Sequence, residues 1–267
     1  MLLSCAEQLL ADQRLSERLR LIQAAGFDGI DVRWATVIDP AARREIAAHD
    51  LPVGAVYGQL RDPGLLSRTA AERASAIDGA VERAEVAAEL GATALIIVPI
   101  FREPVLRGFS PIIGTEDLET AVLLASLDEL AARVADLPVK IVLEPLNRDQ
   151  THFLLDPAHG AVLCDALDSP LIATMVDTYH CEKNGQDIPA AIAATGAQLA
   201  LVHLSDTDRG LPGEGRIDFG SVLAALRAHG YEGWMGFECR KVDQAESLRR
   251  SVDFLRDLWM RGAAKDE

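Results

Sequence analysis

The sequence predicts a single closed (β/α)8 TIM barrel spanning residues 1–267, and three observations lead there. Eight short apolar runs, rich in Val, Ile and Leu, alternate with longer stretches of helical period from end to end. A length of 267 residues suits eight βα units closed into one ring. The GxGxxG phosphate loop that an open doubly wound sheet carries after its first strand is absent. No linker rich in Gly, Pro or Ser and no shift in composition interrupts the chain, so one domain is expected.

The elements follow in order. A first strand at Leu2–Cys5 precedes the helical pattern RLSERLRLIQAA, which Gly26 closes before a second strand at Gly29–Arg33. AARREIAAH leads to a third strand at Pro52–Tyr57. The long pattern TAAERASAIDGAVERAEVAAEL stops at Gly91, ahead of a fourth strand at Ala94–Val98. TEDLETAVLLASLDELAARVAD precedes the fifth strand, Val139–Glu144, and DPAHGAVLCDAL the sixth, Ala173–Asp177. DIPAAIAAT leads to the seventh strand, Leu199–Leu204. SVLAALRAHG ends at Gly230 before the eighth, Trp234–Glu238, and AESLRRSVDFLRDLW closes the pattern.

Composition narrows the function. Apolar residues make up 49% of the chain, enough for a substantial core. The 41 acidic against 26 basic side chains give a net charge of −15, which argues against nucleic acid and anionic membrane surfaces as partners. The four cysteines form no CxxC pair, so free thiols are expected rather than a zinc knuckle or a disulfide framework. The opening MLLSCAEQLL lacks the basic flank of a signal peptide, and no apolar run has the length of a membrane span. A cytoplasmic protein is the expectation.

In a barrel of this kind the active site is built from strand ends at the C-terminal face. Here four consecutive strands finish on metal-capable side chains: Glu144 in VLEP, Asp177 in MVDT, His203 in LVHLSD and Glu238 in GFECR. They are separated by 33, 26 and 35 residues, each about one βα repeat, so they should converge at one level of the mouth. Three carboxylates and one imidazole form an oxygen-rich donor set. It suits one divalent ion of octahedral preference, Mn²⁺ in first place with Mg²⁺ or Co²⁺ as alternatives. The bland reading of each residue is a solvated strand end. It is weakest for Glu144, because Pro145 stops the strand and no helix begins there, whereas Asp177 could equally cap a short turn.

At these residues the sequence resembles the xylose-isomerase-like sugar isomerases and epimerases, and within them the ketose 3-epimerases and hydroxypyruvate isomerases. The resemblance is carried by EPLNR at 144–148, DTYH at 177–180, HLSDTDRGLPGEGRIDF at 203–219 and GFE at 236–238. It implies that Glu144, Asp177, His203 and Glu238 bind one ion and that His180 and Arg209 contact a small-molecule sugar. It also implies a homodimer or higher homo-oligomer. Many epimerases of this group carry Glu where this chain has Gln150. A glutamine there can hydrogen-bond a hydroxyl but cannot transfer a proton.

The chemistry follows from such a site. Proton removal beside a carbonyl forms an enediolate, which a chelated divalent ion stabilises while a carboxylate acts as general base. Glu144 and Glu238, three strand positions apart around the ring, are assigned as the base and acid pair. The alternative is a dehydratase of the inosose or dehydroshikimate type on the same barrel, in which the enediolate expels a hydroxyl. A nuclease on this barrel would need further histidines, and the first four strands end SC, DVRW, VYGQ and IVPIF without one.

Overall fold

The computed structural model describes residues 1–58, 60, 64–242 and 244–263. Eight strands form a closed, wholly parallel barrel in the order β1 to β8. The strands are β1 (Leu2–Ala6), β2 (Gly29–Arg33), β3 (Val53–Tyr57), β4 (Ala94–Ile97), β5 (Lys140–Leu143), β6 (Ile172–Asp177), β7 (Leu199–Leu204) and β8 (Trp234–Phe237). Around them run α1 (Leu15–Ala24), α2 (Trp34–Val37), α3 (Pro40–Ala47), α4 (Ala70–Glu89) and α5 (Thr115–Arg133). The circuit is completed by α6 (Pro157–Leu167), α7 (Thr178–Lys183), α8 (Ile188–Ala194), α9 (Phe219–Ala228) and α10 (Ala245–Ala263).

Each predicted strand is present, with ends shifted by no more than a residue. Two helices, α2 and α7, have no counterpart in the sequence reading, because four and six residues are too few to display helical periodicity. Local chemistry fixes the longer ones. Thr69 and Glu72 form a reciprocal capping box at the start of α4. Asp39, Asp156 and Asp187 cap α3, α6 and α8, each followed by a proline within the first two helical positions. Asp218 caps α9 through the Ser221 N–H, and the next residue, Phe219, is buried in the core.

Strands covered on both faces read as apolar runs because one face fills the barrel and the other meets the helices. Two close approaches explain glycines. A Cβ at Gly160 on α6 would collide with Thr174 of β6, so its absence lets that helix lie against the strand. A Cβ at Gly236 on β8 would strike Asp31 and press on His203. All four cysteines are free and buried, and burial pushes Cys164 and Cys239 up to about 12. Among the described residues no helix is long and apolar enough to cross a membrane.

Candidate metal centre

Glu144 and Glu238 stand one residue beyond β5 and β8, while Asp177 and His203 lie at the ends of β6 and β7. Parallel pairing sets Asp177 beside His203 and His203 beside Gly236, two residues short of Glu238. Glu144 stays tied to the sheet through its N–H, which donates to the Ile97 carbonyl at 3.0 Å. The strand-end reading holds in three dimensions: one ligand atom from each of Glu144, Asp177, His203 and Glu238 falls within 4.8 Å of all the others. His203 Nδ1 lies 3.8 Å from Glu144 Oε1, 3.7 Å from Asp177 Oδ2 and 3.4 Å from Glu238 Oε2.

Three carboxylates this close repel one another unless cations stand among them. Arg209 supplies one positive charge, its Nη1 at 2.7 Å from Asp177 Oδ2 and 2.9 Å from Glu238 Oε2. Burial alone would raise Asp177, but the Arg209 guanidinium and the hydrogen bonding and charge of His203 outweigh it and hold that carboxyl well below its usual range. Glu238 is lowered for similar reasons: burial opposes ionisation, and Arg209 and His203 overcome it. Burial would lower His203, yet the carboxylates of Asp177, Glu144 and Glu238 lift it well above its ordinary value. Even so, His203 Nδ1 is buried without a hydrogen-bond partner among the described residues, and Glu238 Oε2 is buried with the Arg209 ion pair but no hydrogen bond of good geometry. Hard oxygens, one imidazole nitrogen and unsatisfied lone pairs aimed at one point fit a divalent ion.

Asp177 serves twice. Its Oδ1 accepts from the N–H groups of Tyr179 and His180 at 2.8 and 3.1 Å, capping α7, while Oδ2 faces the cluster. The turn-cap and ligand readings of this residue are therefore compatible. The cap also delivers His180, which is buried with Nε2 at 4.0 Å from Glu144 Oε1.

Asn147, to which the sequence assigned no role beyond its loop, fixes the His180 ring. Its backbone N–H donates to His180 Nδ1 at 3.0 Å, and its side-chain Nδ2 lies 2.8 Å from the same atom. Nδ1 must then be an acceptor, which leaves the proton of a neutral ring on Nε2, facing the mouth. Arg209 Nη2 stands 2.7 Å from that Nε2, and its guanidinium stacks over Tyr179 at 4.5 Å.

The loop carrying Arg209 is organised by Asp206. This buried carboxylate accepts from the N–H groups of Thr207, Gly213, Gly215 and Ile217 at 2.8 to 3.0 Å. Asp208 and Arg209 both adopt left-handed backbone, φ 56° and 58°, a conformation that non-glycine residues take only when their surroundings enforce it. Four backbone donors converging on one carboxylate leave no local signature in sequence beyond the Gly-rich run itself.

Gln150 does not join the cluster. It is exposed, its backbone carbonyl accepts from the Arg102 N–H at 2.6 Å, and its side chain makes no hydrogen bond among the described residues. The segment it occupies is anchored by His152, which bridges the Arg102 carbonyl and the buried Glu119 carboxylate, both at 2.7 Å. Trp34 lies under the Arg83 guanidinium, 4.5 Å from ring to charge, in a packing role.

Comparison with known proteins agrees with this geometry. The ketose 3-epimerase of Arthrobacter globiformis is 29% identical over 248 residues, spanning 88% of this chain and 81% of that protein. The L-ribulose 3-epimerase of Methylomonas sp. strain DH-1 is 30% identical over 137 residues, 51% of this chain and 48% of the relative's length. Among solved structures, 3-keto-D-glucoside 4-epimerase from E. coli superposes with a TM-score of 0.83 at 25% identity, covering 96% of this chain and 99% of that one. The family model for the xylose isomerase-like TIM barrel matches residues 19–258. The chain belongs to the xylose isomerase-like TIM barrel family.

Proposed function

We propose that this chain is a divalent-metal-dependent sugar epimerase that inverts the carbon beside a substrate carbonyl. The observation that carries the reading is the meeting of Glu144, Asp177, His203 and Glu238 within 4.8 Å at the barrel mouth. The chain is an isomerase in the broad sense. The names of its relatives sharpen the class: a ketose 3-epimerase and a 3-keto-D-glucoside 4-epimerase both invert a carbon adjacent to a carbonyl. None of the relatives named above is a dehydratase, and that alternative is set aside.

Glu144, Asp177, His203 and Glu238 would hold the ion, with Mn²⁺ the best match to the donor set. When bound, the ion supplies Lewis-acid stabilisation of negative charge on the substrate carbonyl oxygen. Glu144 and Glu238 approach the mouth from β5 and β8, so each can face the reacting carbon from its own side. One removes the proton and the other returns a proton to the opposite face, their parts exchanging with the direction of reaction. The cations around Glu238 keep it ionised and ready to act as base at neutral pH.

His180 and Arg209 act as substrate clamps. His180 presents an Nε2–H and Arg209 can only donate, so their 2.7 Å approach places two donors face to face. A substrate oxygen that draws the two donors apart accepts from both and relieves the conflict. Gln150, at the rim, is left to contact a hydroxyl and takes no part in proton transfer.

The test is deuterium wash-in from D2O across a panel of ketoses with Mn²⁺ present. Deuterium at C3 with an inverted product of unchanged formula is expected. Exchange confined to C1 and C2 would indicate an aldose–ketose isomerase, and loss of water a dehydratase.

A further inference from the structure

The mouth has a second polar wall, on β2 and β3, opposite β6 and β7 in the ring. The register there pairs Asp31 with Ala55 and Arg33 with Tyr57. Paired residues of parallel strands share a face, and residues two apart on one strand share it as well. Asp31 points into the barrel, where its Oδ2 accepts from Ser4 Oγ at 2.6 Å and crowds Gly236. Arg33 and Tyr57 therefore face the same interior one layer higher, at the level of the mouth.

Among the described residues, both bring donors that find no acceptor. Tyr57 is 7% exposed, and its hydroxyl has no hydrogen-bond partner among the described residues. Arg33 is half-buried; its Nε is buried without a partner, and among the described residues it enters no ion pair. Burial raises Tyr57, and the negative charges of Glu238, Glu7 and Asp31 raise it further, so it remains a protonated donor. Nearby charges do not claim the guanidinium. Glu7 is already taken by Arg18 at 2.5 Å and Thr36 at 2.7 Å, and Asp31 Oδ1 has no hydrogen-bond partner among the described residues. Buried donors left unpaired are costly, and such groups usually mark the place of a ligand acceptor.

We infer that Arg33 and Tyr57 form an anion subsite across the mouth from the metal ligands, and that the natural substrate is a sugar acid whose carboxylate sits there. The inference rests on the isomerase reading and names its substrate class. One planar guanidinium flanked by one hydroxyl matches a carboxylate monoanion. A phosphate dianion would call for more donors than this guanidinium and hydroxyl supply.

The experiment compares D-tagatose, its C6-oxidised counterpart D-tagaturonate and D-tagatose 6-phosphate as ligands of the Mn²⁺-loaded protein. Affinity is read by calorimetry and proton exchange by deuterium incorporation. The uronate is expected to bind about 10- to 100-fold more tightly than the neutral ketose. Arg33→Gln should collapse that ratio toward one. Tyr57→Phe, which removes only an oxygen, should reduce it several-fold with the melting temperature little changed. Equal or undetectable binding of the two sugars, a ratio that survives Arg33→Gln, or a preference for the phosphate overturns the inference. Exchange without any uronate preference sinks this inference alone. A uronate preference lost in Arg33→Gln, with no exchange in any sugar, keeps the subsite and sinks the isomerase reading.

Discussion

Asp177 holds His180 and the ligand cluster with one carboxylate: Oδ1 accepts the His180 N–H at 3.1 Å, and Oδ2 lies 3.7 Å from His203 Nδ1. Separating the two duties gives a direct prediction. Asp177→Asn keeps an oxygen for the cap and loses the charge, so it should fold normally and bind Mn²⁺ at least about 100-fold more weakly. Asp177→Ala should show the same metal defect and in addition lose about 1 kcal/mol of stability with the cap. Denaturant unfolding alongside metal titration separates them, and normal metal affinity in Asp177→Asn would remove this residue from the ligand set.

Asn147 bears on the proposed reaction through its two contacts to His180. Asn147→Ala retains the backbone donor to Nδ1 but loses Nδ2, which lies 2.8 Å away. Turnover is expected to fall about tenfold while Mn²⁺ affinity stays near that of the wild type. Unchanged turnover would mean that the backbone N–H alone orients the ring.

Metal binding should depend on pH through His203. Its folded-state value is raised above 6.5 by the surrounding carboxylates, although burial opposes the charge. A raised group stabilises the metal-free fold below that ordinary value, and its contribution fades as pH rises through the lifted one. An ion requires the neutral ring, so binding expels a proton and apparent affinity climbs with pH by up to about tenfold per unit across the neutral range. Asp177 and Glu238, both lowered, stay ionised throughout that range. Calorimetry at several pH values checks this, and a flat affinity would show that His203 binds no proton in the metal-free protein.

Gly236 is the site where packing and chemistry meet. A methyl group there would collide with the Asp31 carboxylate and come within 3.2 Å of His203 Cδ2. Gly236→Ala is expected to cost about 1–3 kcal/mol and to weaken metal binding together with stability. A variant as stable as the wild type would show that Asp31 has room to move.

The sequence discloses the candidate ligand set because a charged residue closing an apolar run breaks a one-dimensional pattern, as Glu144 does before Pro145 and Glu238 does before Cys239 and Arg240. The barrel is legible for the same reason, from repeated runs of fixed spacing. What escapes is pairing between distant loops. The Asn147–His180 bond joins residues 33 positions apart, and α7 is too short for its period to appear. Arg33 and Tyr57 become neighbours only through strand register, which depends on the irregularity between Ile30 and Asp31. Gln150 occupies the expected sequence position and is exposed, its backbone carbonyl paired with the Arg102 N–H.

The central claim is that Glu144 and Glu238 transfer protons on opposite faces of one carbon. It is tested most directly by locating solvent deuterium during early turnover of an accepted sugar in D2O. A carboxylate base carries a single proton and can hand back only the one it removed, while the opposite acid delivers deuterium. The account predicts label in the inverted product, little in recovered substrate, and no net inversion in either Glu144→Gln or Glu238→Gln. Equal early labelling of substrate and product, or full turnover in either variant, would contradict it.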